Sequence, residues 1–239
     1  MKTINITQLY PKDMNIYGDT GNVLTLQRRI EWRGFEANIR QINTDDKKLN
    51  LTDVDILIGG GGQDSGQINV ENHLQRYKKE IKSASEDGMA MLMICGMYQL
   101  FGHEFITISG DHIRGISVLD LVTTASDTRM IGNVVINTSL GEIVGFENHS
   151  GKTVLNNGQS YFGKVVKGSG NNGEDGYEGA ELNNTFGTYM HGPLLPKNPV
   201  LADLLILRAL NRKYGVNDIE PLNDLDENRA HKWASRLIY

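Results

Sequence analysis

The chain contains very little cysteine: Cys95 is the one cysteine among 239 residues. A single thiol cannot form an internal disulfide, so the protein is expected in a reducing compartment such as the cytoplasm. No set of cysteine and histidine residues has the spacing of a zinc site, and we expect no metal. The absences leave open whether the lone thiol is structural or reactive.

Long apolar runs and an excess of positive charge are also missing. No segment approaches the length of a membrane span, and the N-terminus lacks the apolar stretch of a signal peptide, so we expect no membrane insertion. The net charge of −5, with no basic cluster, argues against nucleic-acid binding. Hydrophobic content of 39% is that of an ordinary globular protein, and we expect a cytoplasmic location.

The first half of the chain alternates short apolar strands with amphipathic helical stripes. Strands are predicted around residues 4–6, 37–42, 54–58 and 90–94, and helices around residues 23–30 and 74–84. This rhythm predicts a flavodoxin/Rossmann-like α/β fold, with a mostly parallel sheet and helices on both faces. Binding sites in such sheets gather beyond the carboxyl ends of the strands.

The second half predicts an antiparallel β extension of the same domain. Residues 105–116 and 130–144 are β-rich, residues 168–176 form a polar stretch expected at the surface, and residues 186–191 suit a strand. A well-capped helix should run from Asn198 and Pro199 to Gly215, and a weaker one over residues 225–237. No linker or repeat interrupts the chain, so one domain over residues 1–239 is expected.

Cys95 ends the apolar run Ala90–Ile94 and is followed at once by Gly96, where a helix can begin. A side chain at such a turn projects from the carboxyl edge of the sheet, where helical N–H groups favour a thiolate. A small residue behind a nucleophile also lets its backbone N–H face a developing oxyanion. A buried cysteine acting as a small apolar side chain is the alternative, and the strand pattern leaves both open.

Four consecutive glycines, Gly59–Gly62, follow the third predicted strand. A backbone without side chains can approach a ligand closely and offer N–H groups either to a phosphate or to an oxyanion formed at Cys95. No Lys-Ser or Lys-Thr pair follows as a P-loop requires, and the run does not match the Gly-x-Gly-x-x-Gly dinucleotide pattern. A plain tight turn is the remaining interpretation.

A nucleophilic cysteine needs a base, and the six histidines are the candidates. His149 lies in a turn-like stretch, and His191 ends a predicted strand just before a Gly-Pro pair, much as Cys95 ends its own strand. The residue pattern leaves these two histidines tied. The other four histidines show no catalytic context: His73, His103, His112 and His231. Of these, His73 and His231 are expected on solvated helices.

Five segments, taken in order, resemble the class I glutamine amidotransferases, of the branch shared with cobyric acid synthases. They span nearly the whole chain, and the cysteine segment together with the Tyr-Met-His-Gly-Pro segment carries most of the likeness. The segments are Tyr17–Asn22, Gly60–Asp64, Ile94–Leu100, Gly145–His149 and Gly187–Pro193. The resemblance implies the class I glutamine amidotransferase fold for the whole chain.

The resemblance also implies roles for individual residues. Cys95 would be the nucleophile, and His191, rather than His149, its base. Arg129 falls where the family places the arginine that holds the α-carboxylate of glutamine, although from the residues alone it would be a solvated loop cation. Further substrate contacts are expected from Gln99 and from backbone N–H groups facing the oxyanion, at Gly60, Gly61 and Gly96. No metal or cofactor is implied.

Two positions depart from the family pattern. Met97 stands where relatives usually have a second glycine, which makes the turn after Cys95 bulkier. Pro193 stands where many class I enzymes have a glutamate that orients the catalytic histidine. The orienting acid is therefore expected on a partner or at Glu147, whose position the sequence does not fix. We expect the isolated chain to be slow for this reason.

The function implied by the resemblance is hydrolysis of L-glutamine to L-glutamate and ammonia. Because the chain shows no ATP-binding element, the ammonia would pass to a separate ATP-dependent synthetase. The likeness points to a heterodimer with a MurT-like subunit of the Mur ligase type, which amidates the D-glutamate of the lipid II stem peptide in peptidoglycan synthesis. The alternatives are an amidotransferase for another acceptor, such as a cobyrinate, and a non-enzymatic flavodoxin-like protein that binds a phosphate ligand.

Overall fold

The computed structural model describes residues 2–46 and 48–237, in which the strands form two sheets. The strands are β1 (Thr3–Leu9), β2 (Glu36–Ile42), β3 (Ile56–Gly59), β4 (Ala90–Ile94), β5 (Glu104–Ile106), β6 (His112–Arg114), β7 (Leu121–Thr138), β8 (Gly141–Leu155), β9 (Gly163–Lys167), β10 (Tyr177–Glu178), β11 (Ala180–Leu182) and β12 (Thr185–Thr188). The helices are α1 (Thr20–Glu31), α2 (Asp64–Gln75), α3 (Lys78–Glu86), α4 (Gly96–Phe101), α5 (Pro199–Tyr214) and α6 (Leu225–Arg236), with a 3₁₀ turn at Leu195–Lys197.

The first sheet runs in the order β11-β12-β4-β3-β1-β2. Neighbouring strands are parallel throughout except at β11, which pairs antiparallel with β12 at one edge. Every residue of β3 and β4 is buried, as expected of central strands covered on both faces. The predicted α/β architecture with a mostly parallel sheet is confirmed.

The second sheet is the predicted β extension, antiparallel except where β5 pairs parallel with β7. Its order is β10-β9-β7-β5-β6, and β8 pairs with β7 in a long antiparallel hairpin. The pairing of β7 with β8 shifts register between Ala125 and Met130, close to Arg129. A short bridge between Phe146 of β8 and His191 joins this hairpin to the segment that follows β12. The hairpin therefore lies over one end of the parallel sheet.

Several predicted elements differ in detail. The helix expected over residues 74–84 is two helices, α2 and α3, because Tyr77 leaves the helical conformation, with φ −107° and ψ 9°. Asn198 precedes α5 but does not cap it with its side chain, which instead bonds the N–H and C=O groups of Val144. Gly215 ends α5 in the left-handed conformation, as predicted. On α6 the apolar side chains of Leu225 and Trp233 are largely exposed.

The segments around His191 and residues 168–176 also differ from prediction. The strand expected over residues 186–191 ends at Thr188. Tyr189 and Met190 have no regular structure, and His191 forms an isolated bridge with Phe146. The polar stretch 168–176 is partly buried, because the Asn171 side chain accepts a hydrogen bond from the Tyr98 hydroxyl. Gly168 and residues 173–176 are exposed as predicted, whereas residues 170–172 are buried.

The parallel sheet brings four chain segments to one edge. The segment containing Asp19 follows β1, the glycine run follows β3, Cys95 follows β4, and His191 follows β12. These strands are neighbours and parallel, so their carboxyl ends meet, which is where binding sites form in open α/β sheets. Among the described residues, no helix is both long enough and apolar enough to span a bilayer.

Candidate active site

Cys95 forms the turn between β4 and α4. Its backbone adopts φ 51° and ψ −109°, a conformation that side chains with a Cβ rarely adopt, and its N–H donates to the carbonyl of Thr188 on β12. Any side chain on the residue after it would be crowded, because a Cβ on Gly96 would lie 2.9 Å from Met14 Cε and 3.0 Å from the Gly62 oxygen. The turn therefore fixes the thiol at the centre of the sheet edge.

His191 lies beside Cys95 and is 1% exposed. A Cβ placed on Gly61 would be 2.8 Å from His191 Cε1 and 3.2 Å from Cys95 Cβ, so the Gly61 backbone packs against both residues and leaves no room for a side chain. The ring of Tyr17 packs against the imidazole with 4.3 Å between centroids. Neither ring nitrogen of His191 has a hydrogen-bond partner among the described residues.

The charge of His191 depends on two neighbours. Burial lowers the pKa of the imidazole, but the Cys95 thiolate and the Asp19 carboxylate outweigh this effect and raise the pKa of His191 to about 10. Negative charge on the Cys95 sulfur and on Asp19 therefore favours a protonated imidazole, the form that can donate a proton. A thiolate is the nucleophilic form of cysteine.

Asp19 is the acid nearest to His191, and sequence reasoning missed it. Its side chain is fully buried, Oδ1 lies 3.9 Å from His191 Nδ1, and Oδ2 accepts a hydrogen bond from the Gly61 N–H. The separation of 3.9 Å is beyond hydrogen-bond reach, so a shift of about 1 Å is needed to orient the ring. Asp19 lies in the family-like segment Tyr17–Asn22, and this membership is the one sequence feature that could have marked it as a site residue.

Glu147 does not face His191, contrary to one of the two sequence expectations. Its carboxylate accepts hydrogen bonds from the N–H groups of Ser169 and Gly170 and lies 3.8 Å from His149 Nε2. It thus holds the buried end of the 168–176 loop. The acid beside the catalytic candidates comes instead from the loop after β1.

Gly60 and Gly61 were predicted to offer N–H groups to the oxyanion, but they contact Asp19 and Met14 instead. The Gly61 N–H is occupied by Asp19, and a Cβ on Gly60 would lie 2.3 Å from the Met14 carbonyl oxygen, so these two glycines hold Asp19 against the sheet edge. Gly60 and Gly61 do not line the cavity beside Cys95, whereas Gly62 does. The backbone N–H of Gly62, next to Gly96, is the better candidate for an oxyanion contact.

A cavity of about 350 Å³ opens over Cys95. Arg129, on β7, stands exposed at its mouth, where Nε donates to Asn148 Oδ1 at 2.7 Å and Nη2 to the Tyr17 hydroxyl at 3.2 Å. The structure thus places Arg129, which the resemblance singled out, at the same cavity as Cys95. Both hydrogen bonds leave part of the guanidinium fork free for a carboxylate.

Gln99, the remaining predicted contact, is buried in the cavity wall one helical turn after Cys95. Its Nε2 donates to the Tyr189 hydroxyl at 3.1 Å, and its Oε1 accepts from Gln67 Nε2 at 2.8 Å. Gln67, on α2, was not singled out from the sequence, where no motif distinguishes it. Both amides line the cavity.

The other histidines have structural surroundings. His149 lines the cavity, but its ring stacks on Tyr189 at 3.6 Å and its Nδ1 is bonded to the Gly151 carbonyl. His73 is buried, not solvated, because Nδ1 bonds the Tyr10 hydroxyl at 2.9 Å. The rest pair with a surface acid or a backbone carbonyl: His103, His112 and His231. Across the described chain, no three His, Cys, Asp or Glu side chains are grouped to hold a metal.

Comparison with known proteins identifies the family. Residues 5–199 match the CobB/CobQ-like glutamine amidotransferase domain. The chain therefore belongs to this family of glutamine amidotransferases, enzymes that hydrolyse glutamine. Two solved structures at low identity share the fold. PurLQS from Thermotoga maritima has a TM-score of 0.58 and 20% identity, over 88% of this chain and 99% of that one. A glutamine amidotransferase has a TM-score of 0.60 and 16% identity, over 85% of this chain and 98% of that one.

Particular relatives narrow the comparison. The chain is 39% identical to the lipid II isoglutaminyl synthase (glutamine-hydrolyzing) subunit GatD of Staphylococcus aureus strain N315, over 89% of this chain and 87% of the relative. It is 38% identical to the same subunit of Streptococcus pneumoniae strain R6, over 89% and 82%. A probable cobyric acid synthase of Methanothermobacter thermautotrophicus is 28% identical over 81% of this chain but only 39% of its own length.

Proposed function

We propose that this chain is a glutaminase subunit that hydrolyses L-glutamine and delivers the ammonia to an ATP-dependent synthetase. The observation that carries the proposal is the meeting of Cys95, His191 and the buried Asp19 beneath one cavity whose mouth holds Arg129. We take the whole chain, residues 1–239, as one glutaminase domain. No metal or cofactor is needed for the steps below.

Glutamine would bind with its α-carboxylate on Arg129 and its carboxamide over Cys95. The Cys95 thiolate attacks the carboxamide carbon, and the negative charge moves to the carbonyl oxygen. The N–H groups of Gly62 and Gly96 face that oxygen, and each such donor contributes about 3 kcal/mol to transition-state stabilisation. Burial of Cys95 excludes most of the competing water.

His191 would then transfer protons in both half-reactions. It protonates the carboxamide nitrogen, so that the C–N bond breaks, ammonia leaves and a thioester remains on Cys95. It next takes a proton from water, which attacks the thioester and releases glutamate, and the thiolate and imidazolium are restored. Asp19 would stabilise the imidazolium and hold the ring in place.

The names of the relatives support one choice of ammonia acceptor. We propose a MurT-like synthetase as the partner, in a heterodimer that amidates the D-glutamate of the lipid II stem peptide during peptidoglycan biosynthesis. Two relatives, 39% and 38% identical over most of the chain, are named as the GatD subunit of a lipid II isoglutaminyl synthase, whereas the cobyric acid synthase is 28% identical and matches over 39% of its length. We propose the cytoplasm as the site of action, because the ATP for the synthetase is available there.

The gap of 3.9 Å between His191 and Asp19 suits control by the partner. Docking that closes this gap, or that adds a second carboxylate, would raise the rate only when an acceptor enzyme is present, so that glutamine is not wasted. We therefore expect slow glutamate release by the isolated chain and faster release in the complex.

The test is glutamate release by the purified chain, with and without the MurT-like subunit, followed by amidation of lipid II in the complete mixture. Dependence of both products on Cys95, checked with Cys95→Ser, would support the proposal. Glutamine hydrolysis without lipid II amidation would redirect the search to another acceptor. Absence of hydrolysis in every mixture would overturn the glutaminase assignment.

A further inference from the structure

Gln67 has a buried hydrogen-bond acceptor that no group in the described residues uses. The side chain is 2% exposed, and its Oε1 has no hydrogen-bond partner in the described part of the chain. Nearly all buried polar atoms in proteins are paired, and an unpaired one costs about 1–3 kcal/mol. Because Gln67 also lines the cavity over Cys95, a bound ligand can supply the missing donor.

The orientation of the Gln67 amide is fixed by a chain of hydrogen bonds. Its Nε2 donates to Gln99 Oε1 at 2.8 Å, and Gln99 Nε2 donates to the Tyr189 hydroxyl at 3.1 Å. That hydroxyl is in turn bonded to Thr153 Oγ1 at 2.6 Å. With its nitrogen committed to Gln99, the Gln67 amide presents its oxygen, an acceptor, to the cavity.

Depth in the cavity identifies the substrate group that Gln67 meets. Arg129 is exposed at the mouth, whereas Cys95, Gln67 and Gln99 are 7%, 2% and 4% exposed and form the floor. Glutamine bound through its α-carboxylate at the mouth reaches the floor with its carboxamide. The carboxamide oxygen is taken by the N–H groups near Gly62, which leaves its NH₂ group in need of an acceptor.

We propose that Gln67 is a substrate-recognition residue whose Oε1 accepts a hydrogen bond from the carboxamide NH₂ of glutamine. The inference rests on the proposed glutaminase function and adds the basis of amide selectivity to it. The glutamate product places a carboxylate oxygen at the same point, where two acceptors face each other and favour release. Arg129 and Gln67 would thus recognise opposite ends of the same molecule.

The experiment compares glutamine with L-glutamate γ-methyl ester, which reacts at the same carbon but has no carboxamide N–H. Gln67→Met removes the acceptor at similar side-chain length. With the full chain and the MurT-like subunit, we expect kcat/KM for glutamine to fall about 10- to 100-fold, and kcat/KM for the ester to change less than about twofold. The matched control is Asn69→Met, two residues along α2 and exposed outside the cavity, which should change neither value.

The possible outcomes separate the two hypotheses. If the wild-type complex hydrolyses neither substrate, the glutaminase function is wrong. If the wild type hydrolyses both and Gln67→Met lowers both equally, the recognition role is wrong while the function stands. If circular dichroism shows that Gln67→Met does not fold, Gln67→Asn replaces it, because its amide oxygen lies one methylene further from the substrate. Gln67→Asn must then show the same selective loss of kcat/KM for glutamine. An unchanged ratio of kcat/KM for glutamine to that for the ester overturns the inference.

Discussion

Asp19 Oδ1 and His191 Nδ1 lie 3.9 Å apart in a site from which solvent is excluded. The carboxylate is anchored on its other oxygen by the Gly61 N–H, so it is held at the end of β1 whether or not the imidazole approaches. An acid fixed in this way needs only a small movement of His191 to orient the ring. We propose that Asp19 serves in place of the glutamate that many class I enzymes have at the position of Pro193.

Asp19→Asn should lower kcat for glutamine by about 10²- to 10⁴-fold with little change in KM, because an amide neither stabilises an imidazolium nor selects its tautomer. Steady-state glutamate release by the complex measures both constants. Glu147→Gln is the control, since that carboxylate bonds the 168–176 loop and should affect thermal stability more than kcat. Normal kcat in Asp19→Asn would place the orienting acid on the partner.

A glutamine-analogue electrophile such as 6-diazo-5-oxonorleucine should label Cys95 and no other residue. The thiolate beside His191 supplies the nucleophile, and the analogue's α-carboxylate would be held by Arg129. Mass spectrometry of the digested protein locates the label. Cys95→Ser should abolish both labelling and glutaminase turnover, and label found on another side chain would exclude Cys95 as the nucleophile.

The two cavity histidines should differ sharply in effect. His191→Ala removes the proton carrier and should reduce turnover to the limit of detection while the protein stays folded. His149→Ala removes a ring stacked on Tyr189 and should act mainly through the melting temperature. Parallel measurements of kcat and Tm distinguish the two, and the reverse ranking would transfer the role of base to His149.

Arg129→Lys should raise KM for glutamine about tenfold or more and leave kcat at saturation less affected. An ammonium group cannot reproduce the planar fork that pairs with a carboxylate through two parallel hydrogen bonds. The comparison requires full Michaelis curves, and Arg28→Lys, on the surface of α1, is the matched control. Unchanged kcat/KM would make Arg129 a solvated surface cation.

Glu178 should make the protein less stable as the pH rises. Its carboxyl is fully buried, and burial raises its pKa from 4.5 to about 8, although the Tyr189 N–H and the Thr188 hydroxyl oppose the shift. The folded state therefore keeps a proton that the unfolded state loses, and stability falls between about pH 4.5 and pH 8.

Glu178→Gln cannot ionise and should remove this dependence. Melting temperatures from pH 5 to pH 9 test the effect, and the difference in Tm between the variant and the wild type should grow in favour of the variant as the pH increases. A constant difference across that range would show that Glu178 does not titrate in it.

The parallel sheet and the position of Cys95 at its edge could be predicted from the residue pattern, whereas the choice of His191 over His149 and the role of Arg129 came from the family resemblance. Apolar runs identify central strands, and the strand ends of such a sheet share one edge. Asp19 could not be predicted by the same reasoning, because an aspartate in a loop has no periodicity and its distance from His191 depends on how the chain returns to the sheet. Only the resemblance of its segment to the family marked it.

Finer errors have a common physical cause. Which glycine of the run lines the cavity depends on local backbone conformation, and Gly62 does so while the Gly61 N–H is bonded to Asp19. Burial of His73 and exposure of Trp233 likewise depend on which neighbouring elements pack there. Helical spacing gives the direction of a side chain from its own helix, but not whether another element lies in that direction.

The backbone conformation of Cys95 has an evolutionary consequence. A residue with a Cβ held at φ 51° and ψ −109° costs about 1–3 kcal/mol of folding stability, and glycine at this position would relieve much of it. Cys95→Gly should thus raise folding stability and abolish glutaminase activity. Under the proposed mechanism, cysteine is retained here for activity at the expense of stability, and a diverged copy that lost the activity would be free to become more stable at this turn.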